Sequence, residues 1–268
     1  MAVTFGITQG RLGPPVPAGS LAAASAELPD GAYTTLRTYH GDRLVRLANH
    51  LARLRASARD AGARALSEEE VRQGIAAALR ATRHPESRLR LTFAPPRLFV
   101  TVEPFEPLPE ALYVRGVWCV TAPLVRANPQ AKDTRFLPTA HEAYEALPAG
   151  AHEGLLVGQD DAILEGLSSN FFAVLEGALR TEDARALPGV TRSVVLDVAR
   201  GLLPVELSPV TVAELPRVSE CFITSASRGV LPVAAVDEVD IGSAHPGQVT
   251  AEVGRRFEER IAAEAERV

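Results

Sequence analysis

Among 28 basic side chains, Lys132 is the only lysine; the rest are arginines. Arginine replaces lysine wherever bulk positive charge suffices, but not where a primary amine must give up its proton. Lys132 is therefore either leftover surface charge or an amine with a chemical task, and condensation with an aldehyde to a Schiff base is the task open to it. Glu165 ends the apolar run Ala162–Glu165 and opens Glu165-Gly166-Leu167-Ser168-Ser169-Asn170. It reads as a solvated hairpin carboxylate or as a partner for a protonated ring nitrogen. Leu187-Pro188-Gly189-Val190-Thr191-Arg192 opens a helix. There the N–H groups of Val190 and Thr191, with the Thr191 hydroxyl, would form an anion cup, unless Pro-Gly simply starts the helix. Phe222-Ile223-Thr224-Ser225-Ala226-Ser227-Arg228-Gly229 sets hydroxyls after a strand, as a second cup wall, and Arg53 flanks a helix in His50-Leu51-Ala52-Arg53-Leu54. A Schiff-base amine, a carboxylate for a ring nitrogen and a phosphate cup are together what pyridoxal phosphate requires of a protein.

Other chemistries are poorly served. The six histidines show no zinc-ligand spacing with cysteine partners, and His141-Glu142 lacks a second histidine at helical spacing, so no metal is expected. Neither a phosphate loop nor a GxGxxG segment is present, and the Ser168-Ser169 pair lacks the nucleophile-elbow pattern. Net charge is −5, with 46% hydrophobic and 23% charged residues, which is soluble globular composition without a basic field for nucleic acid. The start is not a signal peptide and no apolar run suits a membrane helix. Cys119 and Cys221 sit in apolar runs and read as reduced, buried thiols of a cytoplasmic protein.

The elements that must position these groups follow from patterning. Residues 1–30, rich in Pro, Gly and Ala, suggest loop or weak strand; Ala32–Tyr39 is β-branched and aromatic, a strand. Leu44, Leu47, Leu51 and Leu54 predict a helix over 43–61, and Ser67 with Glu70 starts another that runs to Thr82. Arg88–Phe93 and Leu98–Val102 form a strand pair through Pro95-Pro96, and Leu112–Thr121 reads as a strand. A helix over 134–146 precedes antiparallel strands between Glu153 and Thr181; a helix follows Pro188-Gly189; Cys221–Thr224 and Val230–Val236 are strands; Gln248–Glu264 closes the chain as a helix. This predicts an α+β chain with an N-terminal lobe 1–121, a linker 122–131 and a C-terminal lobe 132–268.

The order of segments resembles the class IV, or fold type IV, pyridoxal-phosphate enzymes: branched-chain and D-amino-acid aminotransferases and aminodeoxychorismate lyase. The resemblance spans about residues 30–255. It rests on AYTTLR, HLARL, the lone Lys132, HEGLLV, EGLSSNFFAV, LPGVTR, ECFITSASRGVLPV and IGSAHPGQVT, in that order. It implies a smaller N-terminal α/β lobe, a larger C-terminal lobe with a mostly antiparallel sheet or barrel, and a homodimer. By the same resemblance Lys132 would hold the cofactor as an internal aldimine and shuttle the proton, Glu165 would face the pyridine nitrogen, and Arg53, Val190 and Thr191 would bind the phosphate. A further phosphate-side position falls at Ala226, flanked by Ser225 and Ser227, any of the three being eligible. Arg37, Arg88 and Arg90 fall where relatives hold substrate; Arg88 and Arg90 alternate and so share a strand face, solvated or binding a carboxylate.

The sequence also departs from the branched-chain pattern. Leu137 stands where those enzymes place a tyrosine after the lysine, and AYTTLR and SRGVLPV lean toward the lyase branch. The implied reaction is transfer of an amino group between an amino acid and a 2-oxo acid. The alternatives are pyruvate elimination from aminodeoxychorismate to give 4-aminobenzoate, and a cofactor-binding protein with lapsed catalysis.

Overall fold

Residues 1–58 and 66–268 are described in the computed structural model; the expected helix over 43–61 runs into 59–65, and that part lies outside the described residues. Contacts divide the chain into two compact units. One comprises Met1–Glu106, Ala131–Leu137 and Ala263–Val268, the other Pro107–Gln130 and Pro138–Ala262. This differs from a boundary at 122–131 in two ways. Strand Val117–Ala122 pairs in parallel with Glu153–Val157 and Gly229–Val236, so it is a member of the second unit's sheet. Residues 131–137 belong to the first unit. There Tyr33 N–H donates to Lys132 O (2.9 Å), Thr134 N–H donates to Gly31 O (2.9 Å), and Ala32 and Asp133 form an antiparallel bridge. These bonds cover the edge of strand Ala32–Arg37, a requirement that composition does not display.

The first unit is built on an antiparallel sheet in the order Arg11–Leu12, Ala2–Thr8, Arg97–Pro104, Ser87–Ala94, Ala32–Arg37. Alternation sorts its faces. Leu36, Leu89, Leu91, Val100 and Val102 enter a core closed by Leu47, Leu51 and Leu54 of helix Leu47–Ser57 and by Val71 and Ile75 of helix Glu68–Thr82. The opposite face is polar and in register: Arg37–Arg88–Glu103 form one row and Thr35–Arg90–Thr101–Thr4 the next.

The second unit carries a sheet ordered Ile163–Gly166, Glu153–Val157, Val117–Ala122, Gly229–Val236, Glu220–Ser225, Asn170–Leu175, Ala178–Arg180, Val205–Glu206. Most of its pairs are antiparallel. One face buries Phe171, Ala173, Ile223 and Leu231. On the other, Phe172 and Phe222 stack at 5.0 Å, and helix Val190–Ala199 contributes buried Val194, Val195 and Val198. Cys119 and Cys221 are free and buried, and burial pushes both thiols up.

Three local expectations are corrected. Residues 1–30 hold more than loop or weak strand: a seven-residue strand inside the first sheet, Ala2–Thr8, and a helix, Leu21–Glu27, capped by Ser20. The strand expected at Leu112–Thr121 is a helix, Glu110–Arg115, and then a strand that starts only at Val117, with Gly116 at φ +71° turning the chain between them. Arg43–Leu44 forms a short strand with Glu266–Arg267, so the helix begins at Leu47. Among the described residues, no helix is long and apolar enough to cross a membrane.

Candidate cofactor and substrate residues

In the first unit, Lys132 is half-buried, not a solvated leftover. Its backbone is held on both sides, by the Tyr33 N–H on its carbonyl and by Ser57 Oγ, which accepts its N–H at 3.0 Å. Its Nζ lies 4.7 Å from the centre of the Tyr33 ring, a cation–π distance. Arg53 is also half-buried. From helix Leu47–Ser57 its Nη2 donates to Thr34 Oγ1 (2.8 Å), and the same hydroxyl lies 2.7 Å from Nδ1 of buried His50. Burial, then the charges of Arg53 and Lys132, hold His50 well below the usual histidine range.

The three strand arginines stand on the opposite, polar face. Arg88 Nε donates to Glu103 (2.6 Å), while Arg90 donates to Leu21 O (3.3 Å) and Ser25 Oγ (2.6 Å) and lies over Tyr33. Burial lowers the Arg90 guanidinium from its ordinary value. Arg37 is clasped between the Tyr39 and Phe105 rings at 4.2 and 4.3 Å, and its Nε has no hydrogen-bond partner among the described residues.

In the second unit Glu165 is 2% exposed, so it is not the solvated hairpin carboxylate its turn sequence also allowed. Arg126, 6% exposed at its side chain, pairs with it (Nε to Oε1, 3.1 Å) and donates to Leu167 O. The Leu187 N–H donates to Glu165 Oε2 (3.1 Å), and Asn170 Nδ2 spans Leu187 O (2.8 Å) and the same carboxylate (3.5 Å). These bonds bring Glu165 to the turn that opens helix Val190–Ala199. Gly189, the residue before that helix, gives it no side-chain cap, and a Cβ there would collide with Asn170. The first-turn N–H groups of Val190 and Thr191 thus remain available to an anion.

Asn170 is paired with Thr224 across the sheet, which puts the following turn, Ser225–Ala226–Ser227, beside the same end. Thr224 carries a buried hydroxyl with no partner among the described residues. The turn is held by Arg228, which donates to fully buried Glu153 (2.5 Å), to Tyr144 (3.3 Å) and to Ser168 (3.2 Å). Tyr144 in turn donates to Glu153 at 2.5 Å, and burial pushes its phenol up.

Reading the residues alone passed over Arg126, Asn170, Thr34 and His50. His50 and Asn170 stand inside quoted motifs, and Arg126 is the one charge in the stretch Ala122–Ala131, a signal that could have singled it out.

The family profile described as Amino-transferase class IV matches residues 31–236. The D-alanine aminotransferase of Bacillus licheniformis is 30% identical over 254 residues, 88% of this chain and 89% of that one. A structure from Thermotoga maritima, assigned by inference as a branched-chain amino acid aminotransferase, shares the fold at a TM-score of 0.80 and 26% identity, covering 97% of this chain and 96% of the other. A structure assigned by inference as a 4-amino-4-deoxychorismate lyase gives a TM-score of 0.73 at 29% identity, over 91% and 96%. With a profile that spans most of its length, the chain belongs to the class IV aminotransferase family, enzymes that use pyridoxal phosphate.

Proposed function

We propose that the protein transfers the amino group of an amino acid to a 2-oxo acid, with Lys132 as the amine that bonds the cofactor aldehyde and afterwards carries the substrate α-proton. The observation that carries this reading is the second-unit donor set. Glu165, buried and paired with Arg126, stands beside an uncapped helix N-terminus and an orphaned Thr224 hydroxyl, a match to a ring N–H at one end and a phosphate at the other. When bound, pyridoxal phosphate supplies the electron sink that makes an α-C–H bond acidic.

The chain's own residues would act as follows. Glu165, held in place by Arg126 and the Leu187 N–H, accepts the ring N–H. Val190, Thr191, Ser225, Ala226 and Ser227, with Arg53, hold the phosphate. Lys132 removes a proton at one carbon and returns it at another, a transfer worth about 10²–10⁴-fold when the amine is positioned. Arg37, with its rings on either side and its Nε unsatisfied, is the best suited of the strand arginines to a substrate carboxylate; Arg88 and Arg90 already hold protein acceptors. We place the protein in the cytoplasm as a homodimer, on the family resemblance.

The lyase reading is kept because the lyase-assigned structure is 29% identical over 91% of this chain. One experiment separates them. Protein loaded with pyridoxal phosphate and given an amino acid alone should release one equivalent of 2-oxo acid and be left with pyridoxamine phosphate. Pyruvate formed catalytically from aminodeoxychorismate, with no amino acceptor, would assign elimination instead. Borohydride should fix the cofactor to wild-type protein and not to Lys132→Ala.

A further inference from the structure

We propose that Thr34 and His50 are positioning residues that aim Arg53 at the cofactor phosphate. The inference rests on the reading of Arg53 as a phosphate ligand and extends it to two residues that touch no cofactor atom.

The geometry is a relay. His50 and Arg53 stand three residues apart on one helix and so share a face. Thr34 comes up from the sheet onto that face, on the core side of strand Ala32–Arg37. Its Oγ1 accepts from Arg53 Nη2 at 2.8 Å and lies 2.7 Å from His50 Nδ1. A hydroxyl has one proton to give. In the relay the oxygen accepts from Arg53 and sends that proton to Nδ1, which requires Nδ1 to be bare, with the imidazole neutral and protonated at Nε2. Burial together with the charges of Arg53 and Lys132 favours that neutral form. A protonated His50 would stack a third positive charge on the site and turn a donor toward the hydroxyl.

The consequence is directional. Thr34 is fully buried and His50 is only 5% exposed, so neither can swing away. The Nη2 corner of the Arg53 guanidinium is held by a hydroxyl that itself meets His50, which restricts how the group can turn. Arginine binds phosphate through its planar fork, so restricting that turn raises affinity for a phosphate and does nothing for a ligand that lacks one.

The test compares pyridoxal phosphate with pyridoxal, titrated into the cofactor-free full-length chain. Arg53→Gln examines the underlying reading: it should lower the phosphate-over-pyridoxal preference at least tenfold, and an unchanged preference would remove Arg53 as a phosphate ligand whatever Thr34 does. Thr34→Val, which keeps the shape and deletes the hydroxyl, should weaken pyridoxal phosphate about tenfold, or about 1.4 kcal/mol, and leave pyridoxal within twofold. Thr34→Ser should restore wild-type preference, and Thr34→Val should add nothing in the Arg53→Gln background. Equal loss for both ligands, or full additivity with Arg53→Gln, would overturn the relay and leave Thr34 a merely structural residue. A measurement on the unmutated protein guards against a variant that fails to fold. Nitrogen-15 NMR of the histidines should show His50 neutral with Nδ1 unprotonated at pH 6; an imidazolium, or a proton on Nδ1, would refute the proposal.

Discussion

Replacing Arg126 by methionine should destabilise the cofactor-free protein through a charge that never meets the cofactor. Arg126 Nε and Glu165 Oε1 are 3.1 Å apart, with side chains 6% and 2% exposed. At an effective dielectric of about 20, two unit charges about 4 Å apart attract by about 4 kcal/mol. Removing one member of a dry pair costs about 3–5 kcal/mol, because the survivor keeps its desolvation penalty. Glu165 retains the Leu187 N–H and the Asn170 amide, so the lower part of that range, about 3 kcal/mol, is expected for Arg126→Met. For a chain of this length, a fall in Tm of about 2–4 °C per kcal/mol follows, or about 6–12 °C. Glu165→Gln leaves Arg126 as the uncompensated charge and should cost a similar amount.

The decisive variant is the double mutant. The new side-chain amide at position 165 can still accept from the Leu187 N–H, and no charge is left on either side. Arg126→Met/Glu165→Gln should therefore be more stable than either single mutant. Urea denaturation and calorimetry on protein stripped of cofactor read this directly. Two singles that each cost under about 1 kcal/mol, or a double whose cost is their sum, would show that the pair is not an electrostatic unit.

Three further outcomes are expected. Arg228→Gln strands the carboxylate of Glu153, which is wholly buried, and should cost about 3 kcal/mol in urea denaturation, with Arg228→Lys recovering only part because one ammonium cannot reach Glu153, Tyr144 and Ser168 together. His50 is held neutral in the fold beside Arg53 and Lys132, so between its lowered folded value and about 6.5 the unfolded chain binds a proton the native state does not; Tm should fall as pH drops below about 6.5, and His50→Gln should flatten that slope. Lys132→Arg keeps the positive charge over the Tyr33 ring and should change stability by less than about 1 kcal/mol, while abolishing borohydride-reducible attachment of the cofactor.

Elements whose side chains alternate or repeat at helical spacing are legible from the chain alone. Ser87–Ala94 and Arg97–Pro104 declare themselves by alternation, and Glu68–Thr82 by Ser67, whose Oγ accepts the Glu70 N–H. What fails to show depends on partners distant in sequence. Ala2–Thr8 is a strand inside the sheet because Arg97–Pro104 lies beside it, and nothing local in a Pro- and Gly-rich start reveals that. Leu112–Thr121 has strand-like composition, yet Leu112 and Tyr113 pack as a helical turn against the sheet core and Gly116 ends the turn. The candidate site residues are legible as residue types in motifs. Their supports are not: Arg126 acts through Glu165 and Thr34 through Arg53, buried neighbours far along the chain, and no spacing rule encodes such a contact.

The division of labour between arginine and lysine in this chain has a geometric side as well as a chemical one. Three arginines of the second unit each serve more than one acceptor. Arg126 serves Glu165 and the Leu167 carbonyl, Arg192 serves the Glu182 carbonyl and Asp183, and Arg228 serves Glu153, Tyr144 and Ser168. A planar fork suits such multiple, immobile duties, and once engaged it does not move. Lys132 is arranged the opposite way. Its backbone is fastened on both sides, to Tyr33 and to Ser57, while its four-carbon stem carries the amine to an aromatic face. Attraction to a ring face is weaker and less directional than a charge-paired fork, and a stem of rotatable bonds can re-aim its tip at small cost. A fixed base with an adjustable tip is the mechanical requirement for an amine that must make a bond, release it and carry a proton between two atoms. That contrast, more than the rarity of lysine, suits Lys132 to the reactive role proposed for it.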